Sequence, residues 1–585
     1  MKIALAQLNY HIGNFEGNLQ KMLDAAAEAR RQGADLICFG ELATCGYPPR
    51  DFLEFDDFIR RSDASVEKLR EASRDIAIVV GSPTRNPVRE GKDLHNSAFF
   101  LWEGRILGVQ HKTLLPTYDI FDEYRYFEPA TEFHTFNFKG KKIALSICED
   151  IWNVGNENPL YKICPLDEMM DERPDFILNL SASPFDYTHA ALRIHTVKTN
   201  VERYGVPMFY ANHVGAQTDI IFDGGSLVVS PDCKVFDEMP YFEECLRVYD
   251  LDEVARGGRD AEQPKDKTRL IHDALVEGIR EYFHKLGFKK AILGLSGGID
   301  SAVTTVLAVK ALGKENVRVL LLPSQFSTGH SVDDARDLAE NLGIQYDIVP
   351  IKNMYDAFEG ALQPFFKDLP FNVTEENIQA RVRGTLLMAM SNKFGNILLN
   401  TTNKSEMSVG YGTLYGDLCG GLAVLADVYK TEVYELAKYI NDCYAGGPTP
   451  NLSPQGEGSG SQLGSAPLPL GGGVGGGDGA LRGGGLIPLN SITKPPSAEL
   501  RPGQKDTDSL PPYEVLDQLL YQYIERRQGP RELEAQGFDH DLVARVLRLV
   551  NVSEFKREQA APVLRVSPKA FGMGRRMPIE AKYLS

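Results

Sequence analysis

The chain has 585 residues, 43% of them apolar, and a formal net charge of −17 at pH 7. That length suggests two or three domains with substantial cores, and the acidic balance without any basic run argues against a nucleic-acid partner. No run of about 18 apolar residues marks a membrane span. The eight cysteines, scattered without CxxC or metal-ligand spacing, read as reduced thiols of a cytoplasmic protein.

The opening Met-Lys-Ile-Ala-Leu-Ala-Gln-Leu reads as a strand, too quickly polar for a signal peptide. Up to about Asp250, short β-branched runs alternate with helical stretches. Strands are expected at Ile3–Leu8, Asp35–Phe39, Ile76–Val80, Ala98–Trp102, Lys142–Ile147, Phe176–Leu180, Pro207–Ala211 and Ser226–Ser230, with helices at Glu16–Arg31 and Phe58–Ser73. This is an α/β pattern around a central sheet.

Three polar residues stand where apolar strands end: Glu41 after Leu36-Ile-Cys-Phe-Gly, Lys112 after Ile106-Leu-Gly-Val-Gln-His, and Cys148 after Ile143-Ala-Leu-Ser-Ile. If their strands share one sheet, the side chains can converge at one edge. A cysteine there can attack an acyl carbon, given a base to form the thiolate and a cation to stabilise the oxyanion; Glu41 and Lys112 supply those types. Singly, each has a plainer role, as core filler, helix start or solvated tip.

Residues 251–267 are charged and punctuated by Gly and Pro, and read as a linker. A second alternation then begins. Strands are expected at Ala291–Leu295, Arg318–Leu322, Gln345–Pro350 and Asn396–Thr401, separated by helices at Ser301–Leu312, Val332–Leu342 and Ile378–Lys393. The pattern is doubly wound, which puts a ligand at the carboxyl ends of the strands.

Gly294-Leu295-Ser296-Gly297-Gly298-Ile299-Asp300-Ser301 occupies one such end. Its glycines allow a tight turn with converging N–H groups, and the helix that follows presents its positive N-terminus. Asp300 suits that company only if a divalent cation lies between it and a phosphate. The loop lacks the Gly-Lys-Ser/Thr ending of a Walker loop. A second polar run, Asn400 to Asp417, also begins where a strand ends and offers Thr401 and Glu406. Lys430 opens a further helical stretch, Thr431–Asn441. From Ala445 to Leu486 the composition turns to Gly, Ser and Pro, and residues 446–486 are expected to form a disordered insertion. Lys494-Pro-Pro-Ser-Ala-Glu-Leu follows as a candidate lid, then two or three terminal helices.

The segments Gly40-Glu-Leu-Ala-Thr-Cys-Gly-Tyr-Pro-Pro-Arg-Asp, His111-Lys-Thr-Leu-Leu-Pro and Ser146-Ile-Cys-Glu-Asp-Ile-Trp resemble the catalytic segments of the nitrilase/amidase superfamily, in the same order. The glycine-rich loop resembles the pyrophosphate loop of ATP pyrophosphatases. Both halves together resemble the glutamine-dependent NAD synthetase family.

The resemblance implies an αββα sandwich over 1–250 and an adenine nucleotide α-hydrolase-like domain over 268–585. It implies a catalytic triad of Glu41, Lys112 and Cys148, with Cys38, Cys45 and Cys164 structural. Glutamine contacts fall on Tyr118, Ser183 and His189, where relatives often carry Arg or Lys at the last position. ATP contacts fall on Gly294, Leu295, Ser296, Gly297, Gly298, Ile299, Asp300, Ser301, Thr401 and Lys430. Deamido-NAD contacts fall on Asn377, Glu406 and Lys556, and Mg2+ on Asp300 and Glu406. Implied too are a homo-oligomer and an internal path for ammonia. Another ATP-driven glutamine amidotransferase and a non-catalytic nucleotide sensor remain the alternative readings.

Overall fold

A computed structural model describes residues 1–158, 160–444 and 481–583. The chain divides into two compact units, Met1–Asp266 and Lys267–Ser585.

The first unit contains β1 (Lys2–Gln7), α1 (Phe15–Arg31), β2 (Leu36–Cys38), α2 (Asp56–Ala72), β3 (Ala77–Arg85), β4 (Leu94–Trp102), β5 (Arg105–His111), β6 (Thr135–Phe138), β7 (Lys141–Ile147), α3 (Pro165–Met170), β8 (Phe176–Leu180) and α4 (His189–Tyr204). It closes with β9 (Met208–Ala211), β10 (Val214–Gln217), β11 (Ile220–Asp223), β12 (Leu227–Val229), β13 (Val235–Glu238), β14 (Cys245–Asp250) and α5 (Leu251–Arg256). The strands build two six-stranded sheets, ordered β14-β1-β2-β3-β4-β5 and β13-β12-β9-β8-β7-β6, and the β10–β11 hairpin.

Strand alternation explains the layering. Ile3, Leu5, Leu36, Cys38, Val79 and Phe100 face Ile143, Leu145, Phe176, Leu178, Phe209 and Val228 across a shared core between the sheets. The intervening residues Ala4, Ala6, Ile37 and Ile78 meet Leu19, Met22, Val66 and Leu69 of α1 and α2. On the outer side of the second sheet, Ala144, Ile177 and Met208 meet Leu166 and Met169 of α3 and Ile194, Val197 and Val201 of α4. Because each sheet is covered on both faces, its central strands read as nearly unbroken apolar runs. The result is an αββα sandwich.

The second unit contains α6 (Lys267–Leu286), β15 (Ala291–Gly294), α7 (Ile299–Leu312), β16 (Val317–Leu321), α8 (Gly329–Leu342), β17 (Gln345–Ile348), α9 (Lys352–Phe366), α10 (Val373–Phe394), β18 (Ile397–Asn400), α11 (Lys404–Val409), β19 (Leu422–Ala423) and α12 (Lys430–Tyr444). Past the glycine-rich segment come α13 (Leu489–Thr493), α14 (Tyr513–Ile524), α15 (Pro530–Ala535), α16 (His540–Val552) and α17 (Glu554–Arg557). Its sheet is parallel, ordered β17-β16-β15-β18-β19. Strand order reverses at β15, which pairs with β16 on one side and β18 on the other. A crevice opens at such a switch point, and Gly294–Ser301 leaves β15 there.

Several expectations shift. Residues 251–256, expected in the linker, are helical because Leu251 and Val254 reach the inter-sheet core. Gln263 and Lys265 continue the attachment, both bonding to Glu238. The terminal part forms four helices where two or three were expected. Most of the glycine-rich stretch lies outside the described residues. Its end, 481–486, is built into the fold: Asn341 Nδ2 donates to the carbonyls of Arg482, Gly485 and Leu486 at 3.0, 3.1 and 3.2 Å, and Leu486 is buried.

Arg193 of α4 forms a bidentate pair with Asp223 of β11, both bonds 2.9 Å and both side chains fully buried. This pair fixes the helix whose first residue is His189. Removing one partner strands the other charge in the interior. Arg193→Ala should therefore destabilise the first unit by about 3–5 kcal/mol, read as a shifted midpoint in denaturant unfolding. A shift corresponding to under about 1 kcal/mol would contradict this account.

Candidate active sites

In the first unit Glu41, Lys112 and Cys148 follow the C-terminal ends of β2, β5 and β7; β2 and β5 belong to one sheet and β7 to the other. Lys112 Nζ donates to Glu41 Oε1 at 2.7 Å, and both side chains are fully buried. Glu41 is held further by Asn96 Nδ2 at 2.7 Å and by the Ala182 N–H at 3.1 Å. His213 Nε2 donates to the Glu41 carbonyl at 2.8 Å. Cys148 is buried and adopts a left-handed φ of 45° where β7 turns into a 3-10 helix. Such a conformation costs a non-glycine residue about 1–2 kcal/mol.

A fourth group joins them. Lys112 Nζ also lies 2.8 Å from Glu123, whose Oε1 accepts from Tyr47 at 2.7 Å. Burial pushes the Glu123 carboxyl up to about 7, with Lys112 opposing and Glu41 adding to the effect. Burial works against the Lys112 ammonium, yet the charges of Glu123 and Glu41 outweigh it and hold lysine above its usual value. Burial pushes the Cys148 thiol up, Glu41 pushes it further, and Lys112 opposes both. The charges of Glu41 and Lys112 thus act on the thiol, and the three groups form one coupled cluster.

Beside the thiol, Glu149 accepts from Tyr118 at 2.9 Å and Tyr161 at 2.7 Å, and burial raises its carboxyl. Ser183 Oγ lies 2.7 Å from His189 Nε2, and the Trp152 ring sits 5.2 Å from the His189 ring. The Ser183 N–H is fixed by Asn212 at 2.8 Å. This wall offers a carboxylate on one side and a hydroxyl–imidazole pair on the other. Cys38, Cys45 and Cys164 are buried away as core residues. All eight cysteines are unpaired.

In the second unit a cavity of about 320 Å³ opens at the switch point. Gly294, Leu295, Ser296, Gly298, Ile299, Asp300, Ser301, Thr401, Glu406 and Lys430 line it. Within the loop, Ser296 Oγ lies 3.1 Å from Ser301 Oγ and accepts from the Gly298 N–H at 3.2 Å. Gly297 has φ +80°, and a Cβ there would lie 2.1 Å from the Ser331 carbonyl. Only glycine permits both the turn and the contact with the start of α8.

Asp300 accepts from Asn403 Nδ2 at 2.9 Å and from Lys430 Nζ at 2.5 Å, and the same Nζ reaches Glu406 at 3.4 Å. Burial pushes the Glu406 carboxyl up to about 8, with Lys430 opposing and Asp300 and Asp506 adding. Two carboxylate oxygens thus converge on the Lys430 ammonium, and oxygen donors are the type that suits Mg2+. Among the described residues no cluster of three or more His, Cys, Asp or Glu forms a metal cage.

Asn377 and Lys556 do not line this cavity. They meet instead on the loop after α11: Thr413 Oγ1 donates to Asn377 at 2.8 Å, and Lys556 Nζ donates to the carbonyls of Gly410 and Gly412 at 2.8 Å each. Arg383 of α10 does line the cavity, as does Asp506. The segment after the glycine-rich stretch is fastened to the loop. Ser491 Oγ donates to the Gly297 carbonyl at 2.9 Å, and Glu499 accepts from Thr328 Oγ1 at 2.9 Å and Ser331 Oγ at 2.8 Å. Sequence reading missed Glu123, Glu149, Arg383 and Asp506, all polar residues in irregular loops or on exposed-looking helix turns, where no periodicity marks them.

Comparison with known proteins places two families along the chain. Residues 2–162 match the carbon–nitrogen hydrolase family and residues 271–560 match NAD synthase. A glutamine-dependent NAD(+) synthetase from Synechocystis sp. is 44% identical over 99% of this chain and 98% of its own length. The corresponding protein of Acinetobacter baylyi is 40% identical over the same shares. A solved glutamine-dependent NAD+ synthetase from Acinetobacter baumannii, in complex with ADP, matches at TM-score 0.72 and 38% identity, covering 99% of this chain and 98% of that one. The fold and sites thus define a carbon–nitrogen hydrolase joined to an NAD synthase. The chain belongs to the glutamine-dependent NAD(+) synthetase family.

The loop geometry makes a sharp demand at one position. Gly297→Ala should destabilise the second unit by more than about 1 kcal/mol, since it adds left-handed strain to a contact with backbone that cannot give way. Denaturant unfolding reads the change, and an unshifted midpoint would refute the packing described for Gly297 and Ser331.

Proposed function

We propose that the first unit hydrolyses glutamine and the second uses the ammonia, with ATP, to convert the carboxylate of deamido-NAD into the amide of NAD. The observation that carries this reading is the buried Glu41–Lys112–Cys148 cluster, in one chain with a Gly-Gly-Ile-Asp-Ser loop opening on a cavity.

In the first unit Glu41 takes the thiol proton as Cys148 Sγ attacks the γ-amide carbon, and Lys112 faces the oxygen on which negative charge develops. The proton passes to the amide nitrogen, ammonia leaves, and water cleaves the glutamyl thioester to glutamate. Glu149 and Tyr118 suit the α-ammonium of glutamine, and Ser183 with His189 suits its α-carboxylate. An imidazole beside a hydroxyl can replace a longer basic side chain as hydrogen-bond donor.

In the second unit the N–H groups of Gly294–Ser301 and the N-terminus of α7 receive the polyphosphate. Lys430 and Thr401 extend that site. Asp300 and Glu406 would hold Mg2+, which supplies charge neutralisation for the phosphates. The carboxylate oxygen of deamido-NAD displaces pyrophosphate from the α-phosphorus of ATP. Ammonia then displaces AMP from the acyl carbon. Glu406 and Arg383, which line the cavity, are assigned to deamido-NAD, and Asn377 and Lys556 hold the loop after α11 beside it. Among the described residues no helix is long and apolar enough to cross a membrane, and eight unpaired thiols suit a reducing compartment such as the cytoplasm. Assembly as a homo-oligomer belongs to the same reading.

With ATP, Mg2+, deamido-NAD and glutamine, the products should be NAD, AMP, pyrophosphate and glutamate; ADP in place of AMP would overturn the assignment of the loop. Cys148→Ala should abolish glutamine-dependent synthesis, a loss of at least about 10³-fold, while synthesis from ammonium persists. Asp300→Asn should lower synthesis from either nitrogen source by about 10²-fold or more. Full synthetase activity in that variant would remove Asp300 from the site.

A further inference from the structure

The proposed nucleophile and the cation that faces it come from different sheets. Lys112 follows β5 of the first, and Cys148 follows β7 of the second. The two strands share no backbone ladder, so side chains can bridge their ends.

Asp150 is such a bridge. Its Oδ1 accepts from the Thr113 N–H at 3.0 Å and the Leu114 N–H at 2.8 Å, the two residues directly after Lys112. Its Oδ2 accepts from the Ile147 N–H at 3.2 Å, the residue directly before Cys148. The side chain is 1% exposed. Upstream, Lys112 is still held by its own sheet, its N–H donating to the Asn96 carbonyl at 2.8 Å. Beyond His111, where β5 ends, the N–H groups of Thr113 and Leu114 go to Asp150. On the other side, the same carboxylate closes the turn that keeps Cys148 at φ 45°.

We propose that Asp150 is a positioning residue for glutamine hydrolysis: one carboxylate, accepting three backbone N–H groups from two sheets, sets the distance between the Cys148 thiol and the Lys112 ammonium. The inference rests on Cys148 being the nucleophile. Burial pushes the Asp150 carboxyl up to about 7, with the N–H groups of Leu114, Thr113 and Ile147 opposing, and these three bonds favour the carboxylate form, which offers acceptors on both oxygens and no donor. An amide of the same shape offers one acceptor oxygen and turns its NH2 toward at least one N–H. A misplacement of about 1 Å between reacting groups lowers rates by about 10²-fold.

The test is Asp150→Asn in the full-length enzyme. Glutamine-dependent kcat should fall about 100-fold, the KM for glutamine should stay within about threefold of the parent, and synthesis from ammonium should be unchanged. In parallel, Cys148 is alkylated with a chloroketone analogue of glutamine. The concentration for half-saturation should hold while the maximal alkylation rate falls with kcat.

A kcat within threefold of the parent would overturn the proposal. So would a raised KM with unchanged kcat, which would make Asp150 a substrate contact. An absence of saturable alkylation would assign Asp150 to folding alone and overturn it equally. Cys148→Ala separates the two levels: if it retains glutamine use, the nucleophile assignment fails whatever Asp150 does.

Discussion

Each unit is organised around one buried lysine shared by two carboxylates. Lys112 lies between Glu41 and Glu123, and Lys430 between Asp300 and Glu406. Taking such charges out of water costs several kcal/mol per ion, and only close pairing offsets it. Both clusters hold more acid than base. In the first, burial raises Glu123 to about 7, so the cluster can keep a proton where an isolated carboxylate would have released it. Such a cluster can accept the thiol proton and return it. In the second, Asp506 adds a further acid near Lys430 and Glu406 is raised to about 8. A polyphosphate entering that cavity meets these acids beside Lys430, and the proposed reading places a divalent cation between them and the phosphates.

Burial of an ionic cluster is not itself a sign of chemistry. Lys404 makes a third one, with Nζ 2.9 Å from Asp427, 2.7 Å from Glu525 and 2.7 Å from Ser567 Oγ. Asp427 in turn accepts the N–H groups of Val566 and Ser567. Every donor and acceptor there is used to tie α11 to the C-terminal residues, and Lys404 lines no part of the cavity. The clusters of Lys112 and Lys430 differ in what stands beside them, a strained thiol in one and an open anion-binding loop in the other. Geometry around a buried charge decides between scaffold and site.

The strands before Glu41, Cys148 and the Gly294 loop were legible in the sequence because each is covered and reads as an apolar run, whereas β5, before Lys112, is largely exposed. The same rule hid β13, which carries Asp237 and Glu238, and β14, which is half-buried along most of its length and carries Arg247 and Asp250. The convergence of the triad was legible only through resemblance. Sequence reasoning imagined one shared sheet edge, whereas two sheets contribute, and the cross-sheet bonds of Asp150 and Glu41 have no periodic signature. Glu123 was hidden for a similar reason: it lies in an irregular segment and gains its role from Lys112, eleven positions earlier. His189 stands where relatives often carry arginine or lysine, and its neighbour Ser183, 2.7 Å away, is a partner that sequence could not supply.

The wall of the second cavity is assembled from parts far apart in the chain, and this explains how an unusual composition at 446–480 is compatible with an intact site. Lys430 opens α12 on one side of that stretch, and Ser491 grips Gly297 on the other. Between them, Asn441 and Ile487 bind each other reciprocally: Asn441 Nδ2 donates to the Ile487 carbonyl at 2.9 Å, and the Ile487 N–H donates back to Asn441 Oδ1 at 2.8 Å. The ends of the segment are therefore joined whatever lies between them. Closing a chain loop costs only about 0.6 kcal/mol more for each doubling of its length. A reciprocal amide pair, with Leu486 and Ile487 fully buried beside it, is of the right size to meet that cost. The residues that shape the cavity are thus insulated from the length and composition of the segment that separates them.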